Sequence, residues 1–125
     1  MRRAGISRRR SAERRGRRSE TWAALFLMLK GYRILGRRVR TRLGEIDLVA
    51  QTPGGVVCFI EVKARRVHDD AVESLRPRQQ ARIARAAALY LAGRPHLARN
   101  GQRFDVVIVA GWPRHVRDAW RPEVG

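Results

Sequence analysis

The run Gly44-Glu45-Ile46-Asp47-Leu48-Val49-Ala50-Gln51-Thr52-Pro53-Gly54-Gly55-Val56-Val57-Cys58-Phe59-Ile60-Glu61-Val62-Lys63 decides the fold. It reads as two apolar strands, Glu45 to Ala50 and Val56 to Lys63, joined by a hairpin loop from Gln51 to Gly55 that is rich in Pro and Gly. Successive strand side chains point to opposite faces. Glu61 and Lys63 therefore share a face with Val57 and Phe59, while Cys58, Ile60 and Val62 take the other. On the preceding strand Glu45, Asp47 and Val49 share a face opposite Ile46, Leu48 and Ala50. The loop length leaves the hairpin register open. If the two acid faces coincide, Asp47 and Glu61 converge beside Lys63.

Outward from the hairpin, Tyr32 to Arg40 reads as an edge strand with a bulge at Gly36. Before it, a helix opens at the N-cap Ser19 and stops at Gly31. Trp22, Leu25, Phe26 and Leu29 form one stripe of that helix, and Ala23, Ala24 and Leu27 fill much of the other side, so it is expected to be covered on more than one face. Arg65 to Leu75, with His68, Asp69 and Asp70, is a polar loop. Leu75 to Leu91 is a second helix, with Gln79, Ile83, Ala86 and Tyr90 on one face and Arg78, Arg82 and Arg85 on another. Phe104 to Ala110 is a nearly continuous apolar run, the mark of a central strand covered on both sides. From Gly111 onward there is no strong pattern. The order implies an α/β fold, a mixed sheet flanked by helices. The divisions are an Arg-rich arm at 1–16 without apolar periodicity, expected to be mobile, a domain at 17–110 and a tail at 111–125.

The chain has 125 residues, enough for one packed core, and carries 28 basic against 11 acidic side chains for a net charge of +17. A GC-rich genome would explain Arg over Lys, but not the excess of base over acid. Such charge favours a polyanion, nucleic acid above all. Residues 1–18 hold nine Arg and one acid, and the body stays basic without them. The single Cys58 excludes an internal disulfide and a Cys-rich zinc site, and its place in a strand reads as a buried thiol. No apolar run reaches the length of a membrane span. Arg-rich residues 1–18 followed by Ala23 to Leu29 imitate a signal peptide, but Lys30-Gly31-Tyr32-Arg33 supplies no cleavage site. The expected compartment is the cytoplasm.

Among 28 basic residues only Lys30 and Lys63 are Lys. An amine that can shift its pKa does work that a guanidinium does not, and Lys63 sits two residues from Glu61. Two acids and a Lys on neighbouring strands suit metal-assisted cleavage of phosphodiesters. Mg²⁺ prefers oxygen ligands and keeps several waters, so one or two carboxylates hold it. The Lys would orient water or stabilise charge on the phosphate. Glu20 from the first helix is a candidate third acid and Gln79 a candidate for positioning water. With six Glu and two Lys in the chain, chance supplies roughly 0.1 Glu-x-Lys pairs, so the tripeptide alone is a weak motif. The structural alternative is a plain cross-strand ion pair of Asp47 with Lys63.

Gly44-Glu45-Ile46-Asp47-Leu48-Val49, Phe59-Ile60-Glu61-Val62-Lys63-Ala64-Arg65 and Arg103-Phe104-Asp105-Val106-Val107 resemble the uncharacterised bacterial YraN family over roughly residues 16–110. That family is similar to the restriction-endonuclease-like superfamily, whose sites take the form Asp … (Asp/Glu)-x-Lys. The resemblance implies a restriction-endonuclease-like three-layer fold, catalytic residues Asp47, Glu61, Lys63 and Glu20, and Mg²⁺ or Mn²⁺ on Asp47, Glu61 and Glu20. Glu20 enters as the helix-1 Glu of Holliday-junction-resolvase-like members. Three departures stand out. The usual Gly-x-x-Gly-Glu reads Gly16-Arg17-Arg18-Ser19-Glu20, the usual Asn-x-Arg reads Arg38-Val39-Arg40, and a common Lys of the second helix is Gln79. The activity implied is an endonuclease acting on DNA in preference to RNA, on branched or damaged structures, with a homodimer as an option. The alternatives are a nucleic-acid-binding protein with a relic site, or a basic scaffold bound mainly through residues 1–18.

Arg40, Arg65, Arg78, Arg82 and Gln79 are the candidate nucleic-acid contacts. Glu45 reads as a supporting acid, and His68, Asp69 and Asp70 as a solvated loop. His96 and His115 read as surface residues. Asp105 is expected to pair with Arg103 or cap a turn, and Trp112 and Trp120 to pack the tail onto the body.

Overall fold

The computed structural model describes residues 17–65 and 76–122. The arm at 1–16, the segment 66–75 with His68, Asp69, Asp70 and Leu75, and the last three residues lie outside them. Residues 17–29 form helix α1, followed by strands β1 (Arg33–Thr41), β2 (Gly44–Gln51) and β3 (Val57–Ala64). Helix α2 (Pro77–Ala92), a single turn α3 (Pro95–Ala98), β4 (Gln102–Ala110) and β5 (Trp112–Trp120) complete the fold. The five strands form one mixed sheet in chain order. All neighbours are antiparallel except β3 and β4, which run parallel because α2 and α3 carry the chain back between them. The result is the α/β, three-layer architecture of the restriction-endonuclease-like fold.

Local chemistry sets the element ends. At the end of α1, Tyr32 N–H bonds Leu27 C=O and Gly31 N–H bonds Met28 C=O, with Gly31 at φ +88°. This is a Schellman cap, whose left-handed residue favours glycine. Pro77 opens α2 at a position where its missing N–H costs nothing. The bulge foreseen in β1 falls between Ile34 and Gly36.

Each sheet face has its own core. Ile83, Ala86, Ala87 and Tyr90 of α2 pack on Ile46, Val49, Val57, Phe59, Phe104 and Val106. On the other face Ala23, Ala24 and Leu27 of α1 pack on Leu48, Ala50, Cys58, Ile60 and Val107. The expected alternation of β3 holds. That of β2 breaks, because Ile46 joins Val49 on the α2 side instead of Leu48 and Ala50. The pairing of β2 with β3 ends at Leu48–Ile60, and the strand turns at the next residue, Asp47.

Three further expectations are corrected. Among the described residues helix α1 is covered on the face that carries Ala23, Ala24 and Leu27, while Trp22, Leu25, Met28 and Leu29 stay exposed, Leu29 by 83%. Ala23 and Ala24 let the helix approach closely, and the sheet offers it a single surface. The patternless tail is strand β5, so the boundary drawn at 110 divides a sheet. Its alternation is hidden because an edge strand turns Pro113 and His115 inward among arginines. His115 is no surface residue, since its side chain is 2% exposed, its Nε2 donates to Asp105 Oδ2 (2.7 Å) and its Nδ1 accepts from Lys30 Nζ (2.8 Å). His96 is exposed as expected.

Asp105 organises that end of the sheet. It is fully buried, accepts two bonds from Arg103 (2.9 and 2.8 Å) and one from the Asp118 N–H (2.9 Å). Arg103 also reaches the Tyr32 hydroxyl. Burial alone would raise the Asp105 carboxyl, but the bonds from His115, Arg103 and Asp118 hold it near 2. Trp120 lies on Phe104 with ring centres 4.3 Å apart, whereas Trp112 remains 75% exposed and meets Phe26 in a T-shaped contact. Among the described residues no helix is long and apolar enough to cross a membrane.

Two stability tests follow from these packings, both read as urea-unfolding midpoints. Leu27→Ala should cost about 3 kcal/mol, whereas Leu29→Ala should stay within about 0.5 kcal/mol; equal losses would mean that both faces of α1 are covered. Asp105→Ala should cost about 3–5 kcal/mol, because Arg103 loses a buried partner.

Candidate active site

Where the β2–β3 ladder stops, Asp47 replaces a backbone acceptor. Its Oδ2 takes the Val62 N–H at 2.9 Å, so the carboxylate lies at the opening between the strands. Glu61 and Lys63, two residues apart on β3, point to the α2 side with Phe59. Lys63 Nζ is 4.0 Å from Glu61 Oε1, and Gln79 Nε2 of α2 donates to the same oxygen at 3.0 Å. The Asp47 carboxylate, seated on the Val62 N–H, lies beside the chain at Glu61, and the charge of Asp47 acts on Glu61. Asp47, Glu61, Lys63 and Gln79 thus occupy one cluster.

Two neighbouring carboxylates cannot both ionise at low cost. Burial pushes Glu61 up to about 7, the Asp47 charge adds to the shift, and Lys63 offsets part of it. Burial also raises Asp47, against the pull of the Val62 N–H, and the charge of Glu20 raises it further. The pair therefore holds a proton to higher pH than two separate solvated carboxylates would.

Glu20 is close enough to act on Asp47 by its charge, yet it does not join the cluster. It is 5% exposed and held by Arg38 Nε at 3.1 Å and Arg37 Nε at 3.6 Å. Arg37 is in turn braced by Thr21 Oγ1 at 2.7 Å, which donates to Arg17 C=O. Among the described residues, no three His, Cys, Asp or Glu side chains stand at metal-ligand spacing. Arg38 lies between Arg37, paired with Leu48, and Val39, paired with Ile46, and so faces Asp47 across a missing rung. Its φ is +49°, left-handed backbone that Asn tolerates better than Arg. Sequence reasoning passed over Arg37 and Arg38. The signal was there, since Arg38 stands where the related motif carries Asn.

The candidate nucleic-acid contacts divide. Arg78 and Arg82 are exposed on α2, and the Arg82 stem lies against Gly44. Arg40 is exposed and pairs loosely with Glu45 at 3.7 Å, and the Glu45 charge adds to the raised pKa of Asp47 and Glu61. Arg65 Nη1 donates to Ala64 C=O and its backbone N–H to Val109 C=O. Gln79 spends its amide on Glu61.

The donor set fits a hard divalent cation. Asp47 and Glu61 offer only oxygen, no imidazole or thiolate of the described residues forms a metal-ligand group with them, and the raised pKa of both acids marks a place where positive charge is wanted.

The profile of the uncharacterised protein family UPF0102 matches residues 19–109. The chain belongs to that family. It is 53% identical over 117 residues to a UPF0102 protein of Paramagnetospirillum magneticum, covering 89% of this chain and 90% of the relative. A UPF0102 protein of Parvibaculum lavamentivorans is 53% identical over 114 residues, covering 90% and 85%. One from Agrobacterium fabrum is 49% identical over 116 residues, covering 91% and 94%. UPF0102 is the YraN family of the sequence motifs, and its match runs from α1 through β4, taking in Glu20, Asp47, Glu61, Lys63 and Gln79.

The raised Glu61 has a stability signature in this UPF0102 chain. Between its ordinary 4.5 and about 7 the folded chain keeps a proton that the unfolded chain has released. Stability should therefore fall as pH rises through that window, by on the order of 2 kcal/mol. Urea midpoints measured across it in EDTA should decline for the parent and flatten for Glu61→Gln. A slope that survives the substitution would assign the proton elsewhere.

Proposed function

We propose that this chain is a metal-dependent endonuclease acting on DNA phosphodiesters. The observation that supports it most is Asp47 on the Val62 N–H beside Glu61, with Lys63 Nζ 4.0 Å from Glu61 Oε1, at the point where β2 and β3 part. Asp47 and Glu61 would hold Mg²⁺ or Mn²⁺. When bound, such an ion supplies Lewis-acid polarisation of a phosphoryl oxygen and a more acidic water. Lys63 faces the charge that builds on the phosphate in the transition state, where a fixed cation in a half-buried site is worth most. Gln79 holds the Glu61 carboxylate in one orientation, which limits its reorganisation. The net charge of +17 and the exposed Arg78 and Arg82 suit capture of a backbone polyanion.

Binding without cleavage is the second reading. It is favoured by the engagement of Glu20 with Arg37 and Arg38, which leaves two carboxylates in the cluster.

Supercoiled plasmid and branched DNA incubated with Mg²⁺ or Mn²⁺ separate the two. Nicking that Asp47→Ala and Lys63→Ala each reduce by about 10²-fold or more supports the enzyme. Cleavage untouched by both substitutions rejects the site. DNA affinity that falls steeply with salt, with no metal-dependent nicking, selects the binding protein.

A further inference from the structure

Among the described residues Arg37 and Arg38 share one acidic partner, Glu20, which is buried while they are not. The Glu20 side chain is 6% exposed, against 46% for Arg37 and 36% for Arg38. Each guanidinium thus shows one side to the carboxylate and another to solvent. The two are consecutive on a strand, where neighbours would normally point to opposite faces. The left-handed backbone at Arg38 breaks that rule and brings both to one carboxylate. Such backbone in a non-glycine residue carries strain that the surrounding structure must hold in place, and here it lies across a missing rung from Asp47.

We propose that Arg37 and Arg38 form a phosphate site for the nucleic-acid backbone, and that binding there releases Glu20 to join Asp47 and Glu61 around the cation. This rests on the metal-site reading above. A guanidinium fork fits a phosphate as well as it fits a carboxylate, so the exchange preserves the charge pairing of both arginines. It strands Glu20, a nearly buried carboxylate that Arg38, opposite Asp47 across the missing rung, holds near the acid pair. A buried carboxylate left unpaired is costly, and a divalent cation is the partner that removes the cost. Without phosphate, the two arginines compete with the cation for Glu20 and place positive charge beside its site. Phosphate and cation therefore bind cooperatively, and the coupling is reciprocal. Free metal would be held weakly, and the full acid set would form only with backbone in place.

The test uses the full chain on a Lys63→Ala background, so that bound DNA stays uncut. Mn²⁺ is titrated calorimetrically with and without a short DNA duplex, and duplex affinity is measured by fluorescence anisotropy with and without Mn²⁺. Each ligand should tighten the other by roughly tenfold. The Arg37→Gln/Arg38→Gln protein should bind Mn²⁺ more tightly than the parent in the absence of DNA, and added DNA should change nothing. The Glu20→Gln protein should bind Mn²⁺ at the weak level with or without DNA. Mn²⁺ binding that ignores DNA in the parent, or no tightening in the double-arginine protein, overturns the coupling while leaving a metal site. Absence of Mn²⁺ binding in every protein overturns the metal site itself. The reciprocal measurement on the parent needs no arginine substitution, so it stands even if the double variant misfolds.

Discussion

Two carboxylates forced together at the mouth of a splitting strand pair are the constraint on which the site depends. Asp47 lies there because it substitutes for a ladder acceptor at Val62. That substitution ends the β2–β3 pairing, turns Ile46 toward the α2 core and leaves Arg38 without a rung. Glu61 arrives beside it by simple strand alternation, and α2 is placed to supply Gln79 because its apolar face must cover Phe59 and Val49. Neither the acid pair nor its neighbours is optimal for stability. The arrangement makes sense as a place prepared for a cation that the chain's own residues only partly replace.

The other end of the sheet shows what the same chain does with a buried carboxylate meant to stay satisfied. Asp105 is as deeply enclosed as any residue in the fold, yet it is held near 2, whereas Glu61 is raised to about 7. Burial acts in the same direction on both. The difference lies in the partners: Asp105 has a guanidinium, an imidazole and a backbone N–H directed at it, while Glu61 faces a second acid and a Lys at 4.0 Å. One carboxylate ties β5 and α1 to β4, and the other is left needing charge.

Much of this was legible in the sequence because strands are periodic. The faces of β3, the hairpin, the bulge near Gly36, the Gly31 stop and the apolar β4 follow from period and turn chemistry alone. Three things did not. Helix α1 is apolar almost all round, and periodicity cannot say which side a single sheet will take; small Ala23 and Ala24 won over the bulkier stripe. Strand β5 hides its pattern because its inward residues are Pro113 and a His115 whose partner is 10 positions away on β4. The turn at Asp47 and the positive φ of Arg38 depend on tertiary hydrogen bonds that no local window contains. Within the site the chain order revealed which residues to suspect, but not that Glu20 would be claimed by two arginines.

The near-exclusive use of Arg has a practical corollary. Side-chain amines occur at two positions only, and both are diagnostic. Lys30 bonds His115 and lies over the rings of Phe26 and Tyr32, with burial and then Arg117 lowering its pKa, so it carries more neutral, reactive amine than a solvated Lys would. Lys63 stands beside Glu61. An acylating or reductive-alkylation reagent therefore has two internal addresses, one reporting on the joint between α1 and β5 and one on the acid cluster. Mass spectrometry of a briefly labelled sample would read both regions at once, without any engineered tag.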